Sequence, residues 1–186
     1  MMTNYRNAKF LADGCIDCEI EHPKYGWIPF TLNPNDTDAG IDAAELFARI
    51  TDDWGAAPYI PPTADEVRGS ALLRVIEQIK AERDRRAQTG GYKVAGKWLH
   101  SDQFSRSQQL GLVLLGASIP AGLQWKTMDG SFVTLTQALA GQILAAGAAS
   151  DAAIFAHAEQ LIAQARAAPD PSTIDPLAGW PKIYGE

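Results

Sequence analysis

The stretch Asp13-Gly14-Cys15-Ile16-Asp17-Cys18-Glu19-Ile20-Glu21, followed by Tyr25-Gly26-Trp27-Ile28-Pro29-Phe30-Thr31-Leu32, decides how this chain is read. Ile16, Cys18 and Ile20 alternate with Asp17, Glu19 and Glu21, the period-two pattern of a strand with one face in a core and the other in water. Asp13-Gly14 is a hairpin signal that joins this strand to an earlier one at Ala8–Leu11. The following run, Tyr25–Leu32, puts Ile28, Phe30 and Leu32 on one side and Tyr25 and Trp27 on the other. Pro29 cannot donate to a ladder, so this third strand is expected at a sheet edge. A helix from about Asp38 to Ile50, capped by Asp36 or Asp38, would cover the meander with Ile41, Leu46, Phe47 and Ile50.

Beyond the sheet the pattern breaks. Pro58, Pro61 and Pro62 fall within five residues and predict a stiff, extended linker. Thr63-x-x-Glu66 then fits a capping box. It opens a helix to about Gln88, with Val67, Ala71, Leu72, Val75, Ile76 and Ile79 on one face. Arg83, Arg85 and Arg86 favour its C-terminal end, and the heptad fails after Ile79, so no long coiled coil is expected. Gly90-Gly91 stops it. A hairpin follows with Ala95-Gly96 at its turn and Lys93 opposite Trp98. Next come a helix capped by Ser101 or Asp102, and a second hairpin around Asp129-Gly130 with Trp125, Thr127 and Phe132 on one face. Two helices at about 135–146 and 151–167 close the region, in which fourteen of the thirty-four residues from Leu135 to Ala168 are alanine. The expected fold is therefore α+β. Residues 1–53 form a small antiparallel sheet with one helix, 54–62 a Pro-rich linker, 63–168 a mostly helical domain with two short hairpins, and 169–186 an extended tail.

Composition narrows the function. The chain has 186 residues, 46% apolar and 20% charged, enough to bury a core without staples. Sixteen basic against twenty-two acidic residues give −6, which argues against a broad phosphate-binding surface and so against nucleic acid as partner. No apolar signal region opens the sequence. The longest apolar stretch, Leu110–Leu123, is interrupted by Ser118 and Pro120 and falls short of the about 20 residues that span a bilayer, so no membrane contact is expected.

The chemistry-bearing residues are sparse. Cys15 and Cys18 match C-x-x-C, but residues three apart on a strand face opposite ways, and a metal site would need a second pair. Asp17, Glu19 and Glu21 lack the acidic-loop spacing of a calcium site. His100-Ser101-Asp102 holds triad residue types without triad geometry, and no nucleophile elbow or phosphate loop is present. His22 sits before Pro23 with no evident partner, and His157 lies among alanines. Gly141 and Gly147 are expected to allow close helix packing or a helix end. The reading is of no catalytic residue, no cofactor and no metal ligand: a non-enzyme. What stands out is the aromatic set. Tyr25, Trp27, Trp98 and Trp125 are the candidate partner-binding residues, with Trp27 foremost because it falls on the expected edge strand.

Two stretches carry a resemblance. Tyr5-Arg-Asn-Ala-Lys-Phe10, Ile16-Asp-Cys-Glu-Ile-Glu-His-Pro23 and Gly26-Trp-Ile-Pro-Phe-Thr31 resemble an N-terminal module of phage tail-fibre-associated and tail-assembly proteins. Gly90-Gly-Tyr-Lys-Val-Ala-Gly-Lys-Trp-Leu-His-Ser-Asp102, Ser107-Gln-Gln-Leu-Gly111 and Pro120–Phe132 are similar to a phage C-terminal domain family of unknown function. The resemblance implies a tailed-bacteriophage protein from the tail-fibre region, a tail-fibre assembly chaperone or adaptor. It transfers no catalytic residues. Its implied partner is a phage tail-fibre or baseplate protein, with self-association also compatible. Its implied location is the host cytoplasm during assembly or the virion tail. The alternatives are a structural virion component of the fibre or baseplate and, more distantly, a host-directed modulator.

Overall fold

A computed structural model describes residues 3–36 and 41–186. The chain divides into two compact units, residues 1–63 and 64–186, and its architecture is α+β.

The first unit is a three-stranded antiparallel sheet, β1 (Tyr5–Phe10), β2 (Ile16–His22) and β3 (Gly26–Leu32), in the order β1-β2-β3. Alternation along β2 builds the core as expected. Ile16, Cys18, Ile20 and Leu32 are buried, and helix α1 (Ala43–Asp52) lays Ala43, Leu46 and Ile50 across them. The α1 cap is Asp42, whose carboxylate accepts from the Glu45 N–H at 2.9 Å; Asp38 lies outside the described residues. β3 is an edge strand. The expected linker begins later than residue 54. The Phe10 N–H donates to the Ala57 carbonyl and the Ala57 N–H to the Ala8 carbonyl, both at 2.9 Å, so the segment after α1 is tied to β1. Only Pro58–Pro62 runs exposed and without regular structure.

The second unit opens with helix α2 (Ala64–Thr89) and continues through hairpin β4 (Tyr92–Val94) and β5 (Lys97–Leu99), helix α3 (Gln103–Leu115), hairpin β6 (Gln124–Lys126) and β7 (Phe132–Thr134), and helix α4 (Gln137–Ala167). α4 is one helix of 31 residues, not two. Alanine's helix propensity carries it through the Gly147 region where a break was expected. By length and composition it could cross a membrane, yet it carries two cores along its length. Its first half, through Ala140 and Ile143, joins Tyr92, Val94, Leu99, Leu112 and Leu135. Its second half, from Ile154 to Ala165, packs on Val75, Ile76 and Ile79 of α2. Val67, expected on that α2 face, is 54% exposed. Gly147 does permit close packing, since a Cβ there would stand 3.3 Å from the Tyr92 ring, whereas Gly141 faces open space.

The tail is not extended. It makes a 3-10 turn at Pro171–Thr173 and returns along α2, burying Pro171, Trp180 and Ile183. Proline excludes α-helix here, but tryptophan and isoleucine still bury apolar surface, and that surface draws the segment onto the helices.

Candidate functional site

The β3 edge is built by the meander's own hydrogen-bond phase. The Glu21 N–H donates to the Asn4 carbonyl at 3.0 Å, so Glu21 turns its backbone toward β1. Alternation gives Glu19 and Asp17 the same direction and turns Ile16, Cys18, Ile20 and His22 toward β3. Their register partners Leu32, Phe30, Ile28 and Gly26 therefore bond inward, and Trp27, Pro29 and Thr31 present their backbone groups at the free edge. Pro29 occupies one of the positions where a missing N–H costs the ladder nothing. Among the described residues, none donates to or accepts from the backbone of Trp27, Pro29 or Thr31.

The side chains at this edge are aromatic and acidic. Tyr25 is 63% exposed and stacks on His22 with ring centroids 4.8 Å apart, while the Lys24 ammonium lies 5.1 Å from its ring centre. Trp27 is 38% exposed, and the Arg6 guanidinium lies 4.3 Å over one face of its ring. Arg6 Nε also donates to Glu19 at 2.6 Å, Lys9 pairs with Asp17 at 3.2 Å, and Asn4 Nδ2 donates to Glu21 at 2.8 Å. A bulge between Arg6 and Lys9, with Asn7 in the left-handed region at φ 56°, opens a shallow groove of about 380 Å³ beside Pro29. Asparagine tolerates that conformation better than most residues. The carboxylates expected to be merely solvated are thus each engaged from β1 or the segment before it.

The other candidate aromatics belong to the second unit. The two hairpins are joined there by the Met128 N–H donating to the Trp98 carbonyl at 2.9 Å and by a Lys97–Asp129 pair at 2.9 Å. Lys93 does stand opposite Trp98, but Trp98 is half-buried and meets Tyr184 edge-on, with centroids 6.2 Å apart. Trp125 is half-buried in the core of α3, α4 and the hairpins. Its register partner is Val133; Phe132 pairs with Lys126 and is 59% exposed, so it does not share the Trp125 face. Thr127 is buried and, with Ser131, hydrogen bonds the Asp129 carboxylate. Ser131 first, then Thr127 and Lys97, hold that carboxyl far below the usual range.

The remaining candidates have structural work. Cys18 is buried and Cys15 half-exposed. Burial, then Asp13, pushes the Cys15 thiol up, and burial, then Asp17, does the same for Cys18. His22 Nδ1 accepts from the Lys24 N–H at 3.1 Å. Ser101 Oγ accepts from Gly91, and Asp102 caps α3 through Ser105. His157 contacts Trp180 and hydrogen bonds the Ala178 carbonyl. Among the described residues no three of His, Cys, Asp and Glu converge as metal ligands.

Two polar clusters were not foreseen. Arg106 makes a two-pronged pair with Asp151, at 2.6 and 2.8 Å, beside Tyr92, whose hydroxyl donates to Gln109. They line a cavity of about 160 Å³, and burial pushes the Tyr92 hydroxyl up. The second cluster fixes the tail. Arg86, 7% exposed, holds Glu82 at 2.6 Å, the Pro181 carbonyl at 2.8 Å and Glu186 at 2.8 Å, with Trp180 under its guanidinium. The signal in the sequence was the apolar pair Trp180 and Ile183 after the prolines, which has surface to bury.

Fold and site together define a two-unit α+β protein: a sheet-and-helix unit with an open aromatic edge, then a helical unit clasped by its own tail. The chain belongs to the DUF4376 family, described as a domain of unknown function, whose profile matches residues 71–178, more than half of the chain. The match runs from inside α2 into the tail and leaves the sheet unit outside it. No curated protein and no solved structure matches the chain.

Proposed function

We propose that the chain is a non-enzymatic assembly factor of a tailed bacteriophage, an adaptor or chaperone that engages a tail-fibre protein through the β3 edge. The observation that carries the reading is the edge itself. A tryptophan and a tyrosine stand exposed beside a row of unbonded backbone groups, and exposed aromatics at a sheet edge are the usual anchors of protein contacts. The resemblance of the Tyr5–Thr31 strings to phage tail-assembly modules supplies the partner class. The test is co-expression with a tail-fibre gene of the same genome, followed by capture. Wild type should retain the fibre protein. Trp27→Ala should retain it about 30-fold less well, the loss of an anchor of about 2 kcal/mol. Mass spectrometry of purified virions should find the chain absent; stoichiometric presence would make it a virion component instead.

A further inference from the structure

The outward-bonding residues of β3 are matched, one for one, by the carboxylates of β2. Glu21 stands opposite Trp27, Glu19 opposite Pro29 and Asp17 opposite Thr31. All three carboxylates face away from the core side, where Ile28 and Phe30 are only half-buried because β3 has no outer neighbour. The charge of the molecule is concentrated in this unit. Residues 1–63 contain four basic and ten acidic residues, a net −6, whereas residues 64–186 contain twelve of each.

Resting on the reading above, we infer that the β3 edge takes a fourth strand from its partner, and that this strand alternates basic and apolar residues. Its backbone would bond to the Trp27 and Thr31 N–H groups and to the Trp27, Pro29 and Thr31 carbonyls. Its apolar face would complete the cover over Ile28 and Phe30. Its basic face would lie about 10 Å from β2, two strand spacings away, a gap that a lysine or arginine side chain largely crosses. Arg6 and Lys9 already offset part of the acidic row, so the attraction is moderate and within reach of salt screening. Pro29 withholds one donor, so backbone pairing alone is weak and the side-chain pattern must supply the selectivity. A second copy of the sheet unit, also at −6, is repelled by the same charges.

The test uses the full chain and two ten-residue probes, an alternating Val–Lys peptide and an alternating Val–Glu peptide, each at millimolar concentration. Amide exchange at Trp27 and Thr31 is followed by NMR. The Val–Lys peptide should slow both amides by about fivefold or more, and high salt should reduce the effect. The Val–Glu peptide should leave them unchanged. Equal protection by both peptides, or none by the Val–Lys peptide, overturns the inference. So does protection that grows with protein concentration alone, which would mean a second copy fills the edge. Thr31→Pro removes one donor and leaves Trp27 in place. It should abolish Val–Lys protection at Trp27, while Thr31→Val, which keeps the N–H, should not. Should Thr31→Pro not fold, the wild-type peptide comparison still decides. Fibre capture that persists without Val–Lys protection sinks strand addition alone, whereas absence of fibre capture by wild type sinks the adaptor reading.

Discussion

Single side chains set both reactivity and tolerance here. Cys18 is buried under α1 and Cys15 is half-exposed at the start of β2. Both thiols are raised above their ordinary value, so the thiolate is scarce at neutral pH. A disulfide reagent under native conditions should therefore modify Cys15 slowly, faster above pH 9, and Cys18 only on unfolding; equal rates for the two would contradict the burial of β2. Gly91 is a stricter position. It sits at φ 69°, and a Cβ there would stand 2.8 Å from the Leu99 carbonyl and 2.2 Å from the Met128 sulfur. Gly91→Ala should lose about 2 kcal/mol or more, read as a lower melting temperature. Gly141→Ala, facing open space inside α4, should be neutral or stabilising. These side-chain consequences were partly legible in the sequence. The period of β2 separates Cys18 from Cys15 directly. Nothing local to Gly91 says that Met128, far along the chain, will lie against it.

At the scale of elements, local patterning is informative and long-range closure is not. Strands β2 and β3, the Val75–Ile79 part of the α2 face and both hairpin turns follow from alternation, helical spacing and Ala95-Gly96 and Asp129-Gly130, whereas β1 begins earlier than expected, at Tyr5, and Val67 stays exposed. The edge position of β3 follows from Pro29. The cap of α1 falls to Asp42 instead of Asp36 or Asp38, and alanine outweighs Gly147 in keeping α4 continuous; the return of the tail is decided by what it packs against. The tail clasp gives a pH-dependent consequence. Glu82 is held below its ordinary 4.5, first by Arg85, and Glu186 is held below it by Arg86. A depressed carboxyl contributes its full stability above the unfolded value and loses it as pH falls through the folded one. The clasp should therefore be intact at pH 7 and weaken progressively below pH 4.5. In thermal melts across that range, Glu186→Gln should show a smaller acid loss than wild type. Arg86→Met leaves Glu82 with Arg85 only and releases the tail. It should destabilise by about 3 kcal/mol at pH 7, and Trp180→Ala by a similar amount. An Arg86→Met variant that melts like wild type would show that the tail adds nothing to the helical unit.

For the whole molecule, the division at residue 63 predicts separable folding. Limited proteolysis should cut within Pro58–Thr63 and release a fragment from Ala64 onward that keeps its helical circular-dichroism signal and melts cooperatively. A fragment that loses that signal would mean the two units fold as one. The released pieces should also part sharply on an anion exchanger, since the acidic excess lies entirely on one side of the cut. Within the helical unit, α4 serves two cores at once, one through Ala140 and Ile143 and one from Ile154 to Ala165. Those contacts are fixed in angular phase around a single axis. Inserting one residue between Gly147 and Ser150 would turn one set by about 100° against the other, swinging Ile154 and Leu161 out of their core while Ile143 stays in place. Relatives of this chain should therefore vary in length at the Ala95-Gly96 and Asp129-Gly130 turns and keep the count of residues along α4 constant, so that the helix acts as the second unit's frame of registration.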